Sequence, residues 1–192
     1  MFLPDNIPII CNLPRDAEFA DIYFLHDIHF GSELFNEQKW KALKKKIQDN
    51  ELAYVCWIGD IMENAIPNSK SDMFTQKHSP ARQKEWATQE LFDLRHKTLS
   101  VVAGNHEHNR TTKVSGLYPL YDICMLAGVD KKYRDTIAYL DIGVGLRKNQ
   151  KDEAGALFRS NSTRIKRSQK LRIFRLYRWH RFFCFWTRPH TN

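Results

Sequence analysis

The stretch FADIYFLHDIHFG, residues Phe19–Gly31, points to the fold class of this chain. An apolar and aromatic run leads into a polar segment that contains Asp27 and His29, which is typical of a buried strand that ends in a loop. Two later stretches repeat this arrangement, AYVCWIGD at Ala53–Asp60 and LSVVAGNHEHNR at Leu99–Arg110. Because the carboxyl ends of neighbouring parallel strands lie together, we expect the three polar segments to converge.

Helical patterns separate these strands. The segment NEQKWKALKKKIQDN, Asn36–Asn50, places Trp40, Leu43 and Ile47 at helical spacing with lysines on the opposite face. The other predicted elements are a helix within Ser79–His96 with Trp86, Leu91 and Leu94 in the core, a helix over Tyr118–Gly128 that Gly128 ends, and a fourth strand over Thr136–Gly145. Alternating strands and helices predict an α/β layered domain.

The charge of the chain is unevenly distributed. With 192 residues and 42% hydrophobic content, the chain can form one sizeable core, and its formal net charge is +8. No acidic residue follows Glu153, whereas ten of the 30 lysines and arginines do. The sequence therefore predicts a slightly acidic domain over residues 1–154 and a poorly ordered basic, aromatic tail over residues 155–192.

Cysteine usage and hydropathy indicate a cytoplasmic protein without a membrane partner. Cys11, Cys56, Cys124 and Cys184 are far apart and form no CxxC pair, which favours reduced thiols over a disulfide framework. The N-terminus lacks a signal-peptide pattern, and no segment approaches the roughly 18 apolar residues of a membrane span.

The polar segments form a candidate metal site. Its members are Asp27, His29, Asp60, Asn105, His106 and Glu107. Carboxylate and amide oxygens combined with imidazole nitrogens suit Mn, Fe or Zn ions. Since alternate residues of a strand share a face, we expect Asp27 and His29 to point to the same side. Singly, each motif is also compatible with a turn, a surface pair or a loop cap.

The ordered motifs DxH, GD and GNHE resemble those of the calcineurin-like metallophosphoesterase superfamily over roughly residues 19–110. The resemblance implies a β-sandwich flanked by helices, two divalent metal ions and a phosphomonoester or phosphodiester substrate, which could be a nucleotide or nucleic acid. It also implies that Asp27 and His29 hold one metal, Asp60 bridges both and Asn105 holds the second. His106 would be the general acid or charge stabiliser beside the phosphate, and Glu107 would orient it.

The chain departs from this family pattern after Arg110. The family supplies three further histidine ligands, two of them from a GHxH loop, whereas only His180 and His190 follow His108 here and neither lies in such a motif. Tryptophan has only one codon, TGG, so a reading frame shifted by one base always gives a glycine codon in its place. From Trp186 onward, this shifted frame permits the sequence GHDHTP. We therefore expect a domain that is incomplete in its C-terminal half through truncation or a frameshift, with little or no hydrolytic activity.

The tail permits two other interpretations. Arginines interleaved with aromatic residues favour single-stranded nucleic acids, and a basic amphipathic helix favours a membrane surface. The apolar positions of residues 172–185 keep neither to one helical face nor to a strand alternation. The principal alternative function is therefore a non-catalytic nucleic-acid-binding protein that uses this tail.

Overall fold

The computed structural model describes residues 2–13, 20–67, 69 and 73–143, together with the backbone of 155–159, 162–165 and 176–178. The strands are β1 Ile9–Asn12, β2 Asp21–His26, β3 Ala53–Ile58, β4 Thr98–Val102, β5 Tyr133–Arg134, β6 Ile137–Gly143, β7 Gly155–Arg159, β8 Ser162–Ile165 and β9 Leu176–Arg178. The helices are α1 Glu37–Asp49, α2 Pro80–Asp93, α3 Asn105–Glu107, α4 Lys113–Ser115 and α5 Pro119–Leu126, with a π-helical turn His108–Thr112 and a 3-10 turn Asp130–Lys132. The fold is therefore mixed α/β.

One sheet contains the three strands that precede the polar segments. Its strand order is β5-β4-β3-β2-β9, and every neighbouring pair is parallel. Strands β2, β3 and β4 are adjacent, so their carboxyl ends lie along one edge of the sheet. This arrangement confirms the expected convergence of the three strand ends.

Both faces of this sheet are buried, as is usual for parallel strands. On β2, Tyr23 and Leu25 belong to a core shared with the helices, whereas Ile22 and Phe24 face the opposite core. The helix-side core contains the predicted residues Trp40, Leu43, Ile47, Leu91 and Leu94, with Trp86 packed against it while partly buried. The helical spacing in the sequence thus identified the buried faces of α1 and α2.

A second sheet covers the other face. Its order is β1-β6-β7-β8, in which β1 and β6 are parallel and the other pairs are antiparallel. Ile9 of β1 and Leu140 of β6 share a core with Phe24 and Cys56 of the first sheet. The domain therefore has three layers, with helices on one sheet and the second sheet packed against it.

The predicted helices and strands are confirmed with shorter bounds, and each boundary has a local cause. Asn36 caps α1 by accepting a hydrogen bond from the Lys39 amide, and Ser79 caps α2 next to Pro80 at the first helical position. After α5, Gly128 adopts a left-handed φ of 70°, which confirms it as the residue that ends this helix. The short strands β1 and β5 were not predicted, because four and two residues show too little periodicity.

Strands β7, β8 and β9 fall within the segment that the sequence assigns to the tail. Their backbones extend the two sheets, β7 and β8 beside β6 and β9 beside β2. The remaining positions of 144–192 lie outside the described residues. The boundary at residue 154, the frameshift and the poor order of the tail stay predictions.

Three of the four cysteines lie in the described part of the chain. Cys11, Cys56 and Cys124 are free and buried, and burial raises the pKa of Cys11 to about 11 and that of Cys56 to about 12. These side chains are therefore protonated thiols at neutral pH. No helix among the described residues has both the length and the apolar character needed to cross a lipid bilayer.

We expect Arg134→Met to destabilise the domain by about 2 kcal/mol, since buried carbonyl groups would lose their donors. The Arg134 side chain is 1% exposed and donates to the carbonyl oxygens of Ile7, Lys131 and Tyr133 at 2.7–3.1 Å. It thereby holds the N-terminal segment against β5. Urea denaturation measures the change, and the exposed Arg82→Met is the matched control; equal stability of the two variants would contradict the prediction.

Candidate metal centre

The loops after β2, β3 and β4 bring three predicted site residues together. Ligand atoms of His29, Asp60 and His106 all lie within 4.8 Å of one another, and each of the three residues is partly buried. Two imidazoles and one carboxylate form a donor set that suits Zn, Mn or Fe. Among the described residues, this is the group whose geometry fits a metal ion.

The backbone at this group adopts a conformation that is uncommon for residues with a side chain. Asp27 and His29 have φ values of 51°, and Asp60 has φ of 50°. Left-handed non-glycine residues cluster at functional sites, where the surrounding fold maintains them against their intrinsic cost. The sheet edge therefore imposes the arrangement of these side chains.

The expected reason for the proximity of Asp27 and His29 was wrong. Strand β2 ends at His26, so the alternation of a strand does not extend to these two residues. They nevertheless lie close, with Asp27 Oδ1 3.9 Å from His29 Nε2. The left-handed backbone at Asp27 and His29, and not the alternation of a strand, brings their side chains close together.

Two glycines allow the β3 and β4 loops to touch through their backbones. A Cβ on Gly59 would overlap the Gly104 backbone, and a Cβ on Gly104 would overlap Asp60 and lie 2.8 Å from the Gly59 carbonyl carbon. Gly59 also has φ of 87°, whereas Gly104 has φ of −96°. The contact brings Asp60 Oδ1 within 2.8 Å of the His106 amide, which donates to it.

Glu107 connects the loop after β3 to the loop after β4. Its side chain is 1% exposed and accepts hydrogen bonds from the backbone amides of Asp60, Ile61, Met62 and Gly104 at 2.9–3.1 Å. Burial and the charge of Asp60 raise the pKa of Glu107, while the amide donors favour its ionised form. The sequence assigned Glu107 to orienting His106, whereas its observed partners are loop amides.

Glu63 contacts the two histidines of the group. Its Oε2 lies 3.1 Å from His29 Nδ1, and its backbone oxygen lies 2.7 Å from His106 Nδ1. The rings of His29 and His106 meet edge to face with centroids 4.3 Å apart. Glu63 is 7% exposed, so these contacts are shielded from solvent.

The pKa values of the two histidines shift in opposite directions. Burial opposes the charged form of His29, but the hydrogen bond and charge of Glu63, with the charges of Asp60 and Asp27, raise its pKa above the ordinary value. Burial lowers the pKa of His106, with smaller contributions from His29 and Arg110 in the same direction. His106 is therefore a neutral ring at neutral pH and retains a nitrogen lone pair.

The remaining predicted residues border the group. Asp27 Oδ2 lies 3.1 Å from His26 Nδ1, and Asp27 is not among the three residues whose ligand atoms converge. Asn105 is exposed, and its Oδ1 accepts a hydrogen bond from Asn109 at 3.0 Å. The metal-binding roles of Asp27 and Asn105 stay predictions.

A long segment between β3 and α2 borders the site, and residues 59–67, 69 and 73–79 of it are described. The buried Gln83 side chain accepts from the Asn64 amide at 2.7 Å and donates to Gln76 Oε1 and the His78 carbonyl. Asn64 in turn donates to the His106 carbonyl at 3.1 Å. One α2 residue thus anchors both ends of this segment.

Sequence reasoning missed Glu63 and Arg110. Arg110 Nη1 donates to the Glu63 carbonyl at 2.6 Å and to Glu63 Oε1 at 3.2 Å. A signal existed for Arg110, since it follows His106 by four positions, the spacing of one helical face, whereas Glu63 lies in a non-helical loop after β3. Neither position forms part of the motifs from which the candidate site was assembled.

We compared the chain with protein-family models, curated proteins and solved structures, and no match was found in any of the three.

Proposed function

We propose that this chain is a divalent-metal-binding domain of the metallophosphoesterase type, acting on phosphate esters with impaired activity. One observation carries the proposal: the converging donor atoms of His29, Asp60 and His106, at the carboxyl edge of three parallel strands. Ligand sites in open α/β sheets occupy this edge. The facing sheets and the helical layer are compatible with a metallophosphoesterase sandwich.

His29 and Asp60 would hold divalent metal, with Mn, Fe or Zn as the candidates, and Asp27 and Asn105 would complete the ligands of a two-metal centre. When bound, two ions would activate a water molecule and neutralise charge on the phosphoryl oxygens. His106, next to Asp60, would face the substrate phosphate, and it would act as general acid or charge stabiliser in its protonated form.

Asp60→Asn should lower Mn²⁺ affinity by more than about tenfold, because the change removes a ligand charge. The asparagine oxygen can still accept the hydrogen bond from the His106 amide, so the fold should persist. Isothermal titration with Mn²⁺ measures the effect, and Asp49→Asn, an exposed residue at the end of α1, is the control. Equal Mn²⁺ affinity in both variants would exclude Asp60 as a ligand.

The reaction class needs a separate measurement. The Mn²⁺-loaded protein should bind inorganic phosphate in a metal-dependent manner and hydrolyse bis-p-nitrophenyl phosphate slowly or not at all. Metal binding without phosphate binding or hydrolysis would overturn the phosphoesterase proposal. Hydrolysis at the rate of an intact enzyme would contradict the expectation that the activity is impaired.

The alternative function, nucleic-acid binding by residues 155–192, rests on composition, because the side chains of this segment lie outside the described residues. It predicts salt-dependent binding of single-stranded oligonucleotides that Asp60→Asn leaves unchanged. Deleting residues 159–192 should abolish that binding. Retained oligonucleotide binding after the deletion would eliminate the tail as its source.

A further inference from the structure

We infer that Arg110 is a positioning residue, which acts through Glu63 to determine which ring nitrogen His29 presents to the metal and which one His106 presents to the substrate side of the site. The inference deepens the proposed function and rests on it for the identity of the centre. Its evidence is the set of contacts around Glu63, which no sequence motif indicated.

Both histidines direct the same ring nitrogen toward Glu63. His29 Nδ1 lies 3.1 Å from the Glu63 carboxylate, and His106 Nδ1 lies 2.7 Å from the Glu63 carbonyl oxygen. A carbonyl oxygen only accepts hydrogen bonds, so His106 Nδ1 must carry the proton. The Glu63 carboxylate beside His29 Nδ1 favours a proton on that nitrogen as well. When each ring is neutral, this arrangement leaves the lone pair on Nε2.

Arg110 holds both acceptors of Glu63 with one nitrogen. Its Nη1 donates to the carbonyl oxygen at 2.6 Å and to Oε1 at 3.2 Å, opposite the carboxylate oxygen that faces His29. The side chains of Arg110 and Glu63 are 15% and 9% exposed. Arg110 thereby fixes the position of both the carbonyl group and the carboxylate of Glu63.

The arrangement links a helix to both histidines. Metal-binding histidines usually donate their second ring nitrogen to a carboxylate or carbonyl group, and loss of such a partner typically lowers metal affinity 10–100-fold. Here a single residue supplies both kinds of partner. Arg110, in the π-helical turn that follows α3, fixes the position of Glu63.

The test uses the full chain and measures ring protonation directly. Nitrogen-15 NMR of the metal-free protein, recorded at a pH high enough that both rings are neutral, distinguishes Nδ1–H from Nε2–H rings. We expect Nδ1–H at His29 and His106 in the wild type. Arg110→Gln should give mixed tautomers and about tenfold weaker Mn²⁺ binding, and Arg110→Lys should restore both properties to within about threefold.

Two further variants separate positioning from a general effect on the fold. Glu63→Gln, whose amide both donates and accepts, should mix the tautomers of His29 alone, because the Glu63 carbonyl remains for His106. Arg82→Gln, an exposed arginine on α2, should match the wild type. If Arg110→Gln lowers folding stability, the comparison of Glu63→Gln with Arg82→Gln still tests the role of Glu63 in positioning the rings.

The outcomes discriminate between the two proposals. Wild-type tautomers and Mn²⁺ affinity in Arg110→Gln would overturn the positioning role, as would Nε2–H rings in the wild type. A wild-type protein that shows both Nδ1–H rings but binds no Mn²⁺ would overturn the proposed function while supporting the arrangement around Glu63.

Discussion

Replacing Gly104 with alanine should destabilise the domain by about 3 kcal/mol and weaken metal binding, although Gly104 has an ordinary φ of −96°. The cause is steric, because the added Cβ would overlap the Asp60 backbone and lie 2.8 Å from the Gly59 carbonyl carbon. This overlap can be removed only if the loops after β3 and β4 separate, and their separation would move Asp60 away from His106. Chemical denaturation and Mn²⁺ titration measure the two effects.

Two other glycines provide the controls for this prediction. Gly116 has φ of 72°, and a Cβ added there would meet nothing within 4 Å, so Gly116→Ala should cost only the left-handed strain of about 1 kcal/mol. Gly59 combines positive φ with the same backbone contact, and Gly59→Ala should be the most damaging of the three. A Gly104→Ala variant no less stable than Gly116→Ala would show that the loops do not touch.

Glu107→Gln should reduce stability by roughly 4 kcal/mol, although the side chain barely changes in size. Four backbone amides converge on the two carboxylate oxygens, two on each. A glutamine amide presents one oxygen and one NH₂ group, so two of the four backbone donors would face another donor. The loop at residues 60–62 should then detach from α3.

The exposed Glu85→Gln, on α2, is the matched control for loss of a carboxylate charge. Thermal and urea unfolding of the two variants measure stability, and amide hydrogen exchange at Ile61 and Met62 reports whether the loop has detached. Protection of these amides equal to the wild type in Glu107→Gln would contradict the role assigned to the carboxylate.

Much of the architecture follows from short-range patterns. The helical spacing of Trp40, Leu43 and Ile47 identifies a buried helix face, and the apolar runs before Asp60 and Asn105 identify strands buried on both faces. The meeting of His29, Asp60 and His106 follows from the general rule on parallel strand ends. Their chemical roles stay predictions.

The rest depends on contacts that span the chain. Glu107 lies 45–47 residues from the amides of residues 60–62 that it binds, and Glu63 lies 47 residues from Arg110. The left-handed backbone at Asp27, His29 and Asp60 is likewise stabilised by the folded sheet edge, since this region is uncommon for non-glycine residues even though Asp and His adopt it more readily than most. The spacing of residues along the sequence therefore does not predict these contacts.

The left-handed backbone of the three loop residues has a thermodynamic consequence. Asp27, His29 and Asp60 keep this geometry only while the sheet edge is folded, so the unfolded chain offers a divalent ion no comparable site. The free energy of ion binding then adds in full to the free energy of unfolding, by about 2.7 kcal/mol at an ion concentration one hundred times Kd. Melting temperature followed against Mn²⁺ concentration thus becomes an affinity measurement that requires no substrate.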